Sequence, residues 1–251
     1  MKRLLLAATT AACTLFMGTG LSIAQDGPPQ FAPLELWACN YRDGKDQSDF
    51  QPVLDDLAEF AGDTRSAIRI LAPYLTGPQQ AMDFIYIETW ADGSTMGRDV
   101  GNYLENGSAI DEAWEDTVEC SASSLYGRLS INQPSAGPDG NDNFVLTVSD
   151  CKVAHGRSSG QAIGAFQRFS EYRVANGSDV IELLWFPVYG GGGAEYNFKQ
   201  VHVYNDYQHL GDSFQWFVDN QAYLVNQEMT DGLVSCDAAR VYLGNNISDT
   251  L

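Results

Sequence analysis

The chain is 251 residues long and carries 14 Lys plus Arg against 33 Asp plus Glu, a formal charge of −19 with a sequence pI near 4.2. With 44% hydrophobic residues and 24 glycines, it has the composition of a folded globular protein, which excludes a disordered or collagen-like chain. A field this negative repels nucleic acid and anionic lipid surfaces, so no nucleic-acid partner is expected.

At the start, Lys2 and Arg3 precede an uncharged apolar and small-residue stretch from Leu4 to Leu21, and Ser22-Ile23-Ala24 offers small residues for cleavage. These are the three parts of a secretory signal peptide, so residues 1–24 read as a leader cleaved after Ala24. Its strongly apolar part is too short, and too diluted by Thr and Gly, to span a bilayer. No later segment is long enough either, so the expected location is secreted or periplasmic, with no membrane span. Cleavage takes the charge from −19 to −21 and removes Cys13, leaving Cys39, Cys120, Cys151 and Cys236. Four cysteines suit pairing in an oxidising compartment.

After an arm at 25–33, Leu34 to Tyr41 reads as a strand. A helix follows with Phe50, Val53, Leu54, Leu57 and Ala61 on one face, and Ser48 and Asp49 at its start, at helical spacing. Ala67 to Leu75 and Asp83 to Trp90 are β-rich runs joined at Gly77-Pro78, a hairpin pattern. A weaker helical stretch spans Thr95 to Trp114, and Val118 to Ile131 supplies a last strand. Residues 132–143, rich in Pro, Gly, Asn and Asp, read as a linker. The same order then returns in a strand at Phe144 to Val153, a helix with Ile163, Phe166 and Phe169, and strands at Val180 to Val188 and Phe198 to Tyr204. A helical stretch from about Gly211 to Gln227 and a strand at Leu233 to Leu243 complete it.

The return is a repeat in sequence as well as in pattern. Cys39 and Gly44 fall on Cys151 and Gly156 at a shift of 112 residues. Pro73, Gly77, Phe84, Asp92 and Gly97 fall on Pro187, Gly191, Phe198, Asp206 and Gly211 at 114. Val118, Cys120, Ala122 and Tyr126 fall on Val234, Cys236, Ala238 and Tyr242 at 116. The weight lies in the residue types that match: both cysteine pairs, a proline and several glycines. The units are therefore 34–131 and 144–251.

The order βαββαβ is that of the ferredoxin-like plait, an α+β fold with strand order 4-1-3-2 and its first and last strands antiparallel neighbours. Cys39 ends a first strand and Cys120 begins a last one, as do Cys151 and Cys236. The expected disulfides are Cys39 with Cys120 and Cys151 with Cys236. No close pair such as CxxC exists to start a zinc site, so no metal is expected.

A plait has helices on one face only, and its bare face needs a partner. Two plaits packed sheet to sheet in one chain supply it, giving a monomer with an internal pseudo-dimer. In this architecture and duplication, residues 34–131 and 144–247 resemble the dimeric α/β-barrel superfamily. That resemblance implies the company of antibiotic-biosynthesis-type monooxygenases, haem-degrading enzymes, chlorite dismutase-like haem proteins and stress-responsive barrels. No catalytic motif of a family comes with it.

Alternation along the third strands gives two faces. Ile85, Ile87 and Thr89 suit the helix layer, with Phe84, Tyr86, Glu88 and Trp90 opposite; Val201 and Val203 likewise, with Phe198, Gln200, His202 and Tyr204 opposite. The mixed polar and aromatic rows are expected to line the barrel interior. Glu88 and His202 are the candidate catalytic groups, since a carboxylate and an imidazole in one dry cavity can exchange a proton near neutral pH. A buried ion pair, or two separately hydrated groups, is the alternative. Tyr86, Trp90, Trp185, Gln200 and Tyr204 are candidate ligand contacts, although packing between sheets uses the same residue types. No cofactor is favoured. If haem binds, His202 is the best-placed ligand. The functional expectation is a small-molecule or protein-partner binder, with a monooxygenase-like or haem-dependent enzyme and a surface-assembly protein as alternatives.

Overall fold

The structure, a computed structural model, describes residues 30–61, 66–77, 82–132 and 143–249. The predicted leader, most of the arm, and the predicted linker apart from Asn132 and Asn143 lie outside the described residues.

The first half runs β1 (Phe31–Tyr41), α1 (Gln47–Ala61), β2 (Ser66–Leu75), β3 (Phe84–Trp90), α2 (Gly93–Asn106), α3 (Ser108–Thr117) and β4 (Val118–Asn132). The second runs β5 (Asn143–Val153), α4 (Ser159–Ala175), β6 (Ile181–Tyr189), β7 (Phe198–Tyr204), α5 (Tyr207–Asp219), α6 (Ala222–Thr230), β8 (Val234–Cys236) and β9 (Arg240–Asp249). The sheet order β7-β6-β4-β1-β3-β2-β9-β5-β8 contains the plait order in each half, with β8 and β9 together as the last strand of the second. A further pairing of β7 with β5 closes eight of these strands into a barrel. The halves therefore join edge to edge, β2 on β9 and β4 on β6. Closure satisfies the backbone groups that an open sheet would expose, and it removes the barrel edges a surface-assembly role would use.

Matched repeat positions do matched work. Asp92 accepts from the Thr95 amide at 2.8 Å to cap α2, and Asp206 accepts from the His209 amide at 2.7 Å to cap α5. Cys39 sits opposite Cys120 and Cys151 opposite Cys236, and both pairs are bonded. A register shift between Ala38 and Cys39 leaves Ser121 as the extra residue of β4, a bulge that brings Cys120 opposite Cys39.

Two predicted single helices are broken pairs. Gly107 divides α2 from α3, its amide donating to the Tyr103 carbonyl at 2.7 Å; a Cβ there would meet the Tyr103 ring at 2.7 Å. Gln221, in the left-handed region at φ 51°, divides α5 from α6.

The middle of the barrel is filled by packed side chains. Leu34, Leu71, Ile85, Ile87 and Tyr126 of the first half pack with Phe144, Leu146, Val148, Trp185, Val201 and Tyr242 of the second. This corrects the expected faces. Ile85, Ile87 and Val201 fill the barrel, while Phe84 and Tyr86 pack against α1 and Phe198 packs against α4. The physical reason is size: an eight-stranded barrel is just wide enough for side chains to fill, and on the third strands the aliphatic row fits between the large rings of Tyr126, Phe144, Trp185 and Tyr242. The longer polar and aromatic rows take the deeper space under the helices.

Candidate functional site

Between the outer face of the first-half sheet and α1, α2 and α3 lies a cavity of about 650 Å³. Its floor is laid by alternation: Glu35 and Trp37 of β1, Ile68 of β2, and Tyr86, Glu88 and Trp90 of β3 all point to the helix side. Leu57, Phe60 and Ala61 of α1 form one wall. Tyr103 of α2 and Trp114 of α3 form the other, Trp114 standing edge-on to Tyr86 at 5.2 Å. Exposed Val100, Leu104 and Glu119 mark where it opens to solvent.

Glu88 is the chemically distinctive group. Burial raises its carboxyl from 4.5 to about 7, with Glu35 and Asp99 adding to the rise, while hydrogen bonds from Tyr86 and Ser66 work against it. The Tyr86 hydroxyl donates to Glu88 Oε2 at 2.9 Å. Glu35 stands directly across the β1–β3 ladder. Its carboxyl is raised by burial, against a hydrogen bond from Trp37. Burial, followed by the charge of Asp111, pushes the Tyr103 hydroxyl up to about 12. Trp90 Nε1 and Asp99 Oδ2 are buried and neither completes a well-formed hydrogen bond; burial raises the Asp99 carboxyl, while the charge of Arg98, 3.8 Å away, and then the Trp90 indole work against the rise. Such a carboxyl, poised near neutrality among aromatic rings, can give or take a proton from a bound molecule.

The other sequence-derived candidates fall in two further places. His202, Gln200 and Tyr204 lie on the helix side of the second half, outside the first-half cavity. Glu182, fully buried, accepts from Gln200 Nε2 at 2.9 Å and lies 3.8 Å from Arg173 Nη1 and 3.7 Å from His202 Nε2. Burial, then the charge of Arg173, lowers His202 to about 3, so it is neutral. Trp185 sits in the barrel interior beside Tyr126. Glu88 and His202 are thus not brought together; the structure pairs Glu88 with Tyr86 and Glu35 instead. Glu35, Trp37, Tyr103 and Trp114 escaped the sequence reading. The available signal was Glu35 on the same period-two row as Trp37, in a strand that pairs with β3.

Haem does not fit the first-half cavity. The cavity lining contains no histidine, and its cysteine, Cys120, is held in a disulfide. Tyr86 is committed to Glu88, and Glu35, Glu88 and Asp99 would repel the macrocycle's propionates. Among the described residues no group of three or more His, Cys, Asp or Glu side chains is placed to hold a metal ion.

No protein-family model and no curated protein matches the chain. Solved structures do. A Lactobacillus acidophilus NCFM protein with a provisional monooxygenase designation is 12% identical, covering 88% of this chain and 97% of that one at a TM-score of 0.57. A similarly designated protein of Fusobacterium nucleatum is 13% identical over 88% and 96%, also at 0.57. A mutant chlorite dismutase of Candidatus Nitrospira defluvii is 10% identical over 86% and 92%, at 0.51. The likeness is one of fold. The chain has the ferredoxin-like, dimeric α/β-barrel fold, built here from two repeats in one polypeptide, and its two disulfides and lack of a membrane-length apolar helix among the described residues are compatible with an exported protein.

Proposed function

We propose that this protein, exported by cleavage after Ala24 and complete as a monomer, binds a small ring-bearing molecule in the cavity of its first half and exchanges a proton with it through Glu88. The observation that carries the reading is the Glu88 carboxyl, hydrogen-bonded by Tyr86 on the floor of a 650 Å³ aromatic cavity. The fold shared with monooxygenase-designated proteins supports an enzymatic use of that proton exchange. The catalytic pair of the sequence reading is thereby replaced by Glu88 with Tyr86, and the filled barrel interior is left as scaffold.

Trp37, Trp90 and Trp114 all line the cavity, so their fluorescence reports occupancy. An uncharged naphthalene dye should quench them in the wild type, and Leu57→Phe, which fills the wall, should abolish the quenching. Glu88→Gln should keep binding while losing any proton-transfer turnover by about 100-fold or more. Dye binding that survives Leu57→Phe would remove the cavity from the reading. N-terminal sequencing of exported protein checks the leader, with Gln25 as the expected first residue.

A further inference from the structure

The charges around the cavity are one-sided. Glu35, Glu88, Asp99, Asp111, Glu115 and Glu119 line it, and Arg42 is the sole basic residue among them. Arg42 is already engaged: its Nε donates to the Glu115 carbonyl, and its guanidinium lies 3.9 Å from Glu119. An anionic ligand would find no free positive partner in the lining and several carboxylates. The walls are of a kind that adds an attraction of the same sign: Trp37, Tyr103 and Trp114 are half-buried rings of the lining, and ring faces attract cations. Asp99 Oδ2 is buried in this wall outside any well-formed hydrogen bond, with the Trp90 indole beside the carboxyl and Arg98 Nε 3.8 Å from Oδ1, on the outer side. A carboxylate oxygen left this way is costly unless something positive or protic meets it.

Resting on the binding reading above, we propose that the ligand of this cavity is an organic cation, a ring-bearing amine or quaternary ammonium ion, held between the tryptophan faces and the Glu35, Glu88 and Asp99 carboxylates. A divalent metal is the wrong occupant, because these carboxylates do not converge as a ligand set. The net negative charge, −19 for the full sequence and −21 once Lys2 and Arg3 leave with residues 1–24, draws cations toward the opening. Glu88 is faced by Tyr86 on its own strand, Glu35 on β1, Ser66 on β2, and Asp99 and Tyr103 on α2. No basic group is among them. A bound cation favours ionised Glu88, so binding should tighten as pH rises through the Glu88 transition and then level off.

The test compares three matched probes by tryptophan quenching: naphthylmethyl-trimethylammonium, its neutral neopentyl isostere, and naphthylacetate. The ammonium ion carries no titratable proton, so any pH dependence belongs to the protein. It should bind about tenfold or more tighter than the neutral isostere at pH ~8, less so at pH ~5.5, with the carboxylate weakest. Asp99→Asn and Glu35→Gln should each weaken the ammonium ion several-fold more than they weaken the neutral probe; the two sit on different elements, so one variant that misfolds leaves the other. If the neutral probe or the carboxylate binds as tightly as the cation, the charge assignment is overturned while the cavity reading survives. If none of the three binds, both fall together.

Discussion

Glu88→Gln is expected to stabilise the fold in mild alkali and to leave it unchanged in acid. Glu88 ionises near 7 in the folded chain against an ordinary 4.5, chiefly because the cavity wall strips water from it. Between those values the folded state keeps a proton that the unfolded state has released, so stability falls as pH rises from about 4.5 to about 7, then levels off. A rise from 4.5 to about 7, at 1.36 kcal/mol per unit, amounts to roughly 3 kcal/mol of lost stability at pH ~8. Glutamine keeps an acceptor for the Tyr86 hydroxyl and carries no charge to desolvate, so most of that loss should return. In a domain of this size the gain corresponds to a Tm higher by about 5–10 °C at pH ~8. The assay is thermal and urea unfolding of both proteins, disulfides intact, at pH ~5 and pH ~8, with the carboxyl carbon of Glu88 followed by NMR titration. A difference between the proteins that is the same at both pH values, or a variant less stable at pH ~8, would refute the assignment of Glu88 as a desolvated acid.

Four further outcomes test the frame around the site. Removing the first disulfide by Cys39→Ser with Cys120→Ser opens a link across 81 residues; it should cost about 4 kcal/mol in urea unfolding, and the second pair a similar amount. Arg173→Met leaves Glu182 buried beside no full positive charge and should cost about 3–5 kcal/mol, much of it recovered by adding Glu182→Leu in a double-mutant cycle. His202, held down to about 3, should show no imidazole NMR titration between pH ~5 and pH ~8; its neutral state makes the fold lose stability as pH falls from 6.5 toward about 3. Trp185→Ala, inside the barrel, should cost about 3–5 kcal/mol by denaturation yet leave probe affinity in the first-half cavity unchanged, because the sheet lies between them.

The order and pairing of the elements could be read from the chain because cysteines, capping aspartates and turn glycines are punctuation with fixed positions. Cys39 matched to Cys151, and Asp92 to Asp206, carry both the duplication and the register. The faces could not be read the same way. Alternation separates Ile85 and Ile87 from Tyr86 and Glu88 but does not say which row meets the barrel and which the helices, since both rows are apolar enough to bury. The deciding quantity is the width of a closed eight-stranded barrel, which appears only once β2 meets β9 and β4 meets β6. Helix ends were obscured for a similar reason. Gly107 and Gln221 each look tolerable inside a helical pattern, and only the need to fold α3 and α6 back over the sheet makes them breaks. Gly190 shows the same dependence: its φ of +77° turns the chain after β6, and an added Cβ would lie 2.4 Å from the Ser123 carbonyl. The turn after β6 therefore packs against β4.

Why the first half leaves space between sheet and helices where the second half places a buried ion cluster follows from a few exchanged positions. At the shift of 112 that places Cys39 on Cys151, Leu57 and Ala61 of α1 correspond to Phe169 and Arg173 of α4; at 114, Ile68 corresponds to Glu182 and Glu88 to His202. In the second half the Arg173 guanidinium lies 5.9 Å from the centre of the Phe169 ring and reaches toward Glu182. Those two long side chains occupy the volume that Leu57 and Ala61 leave open in the first. The charge differs with the volume. Arg173 offsets Glu182 in a sealed cluster, whereas no arginine of α1 reaches Glu88, which is left with a proton or a ligand as its means of neutralisation. A duplicated fold thus divides its work: the filled half, with its buried ion cluster, holds the barrel's geometry, and the half with smaller wall residues keeps a carboxyl whose charge state is free to respond to what enters.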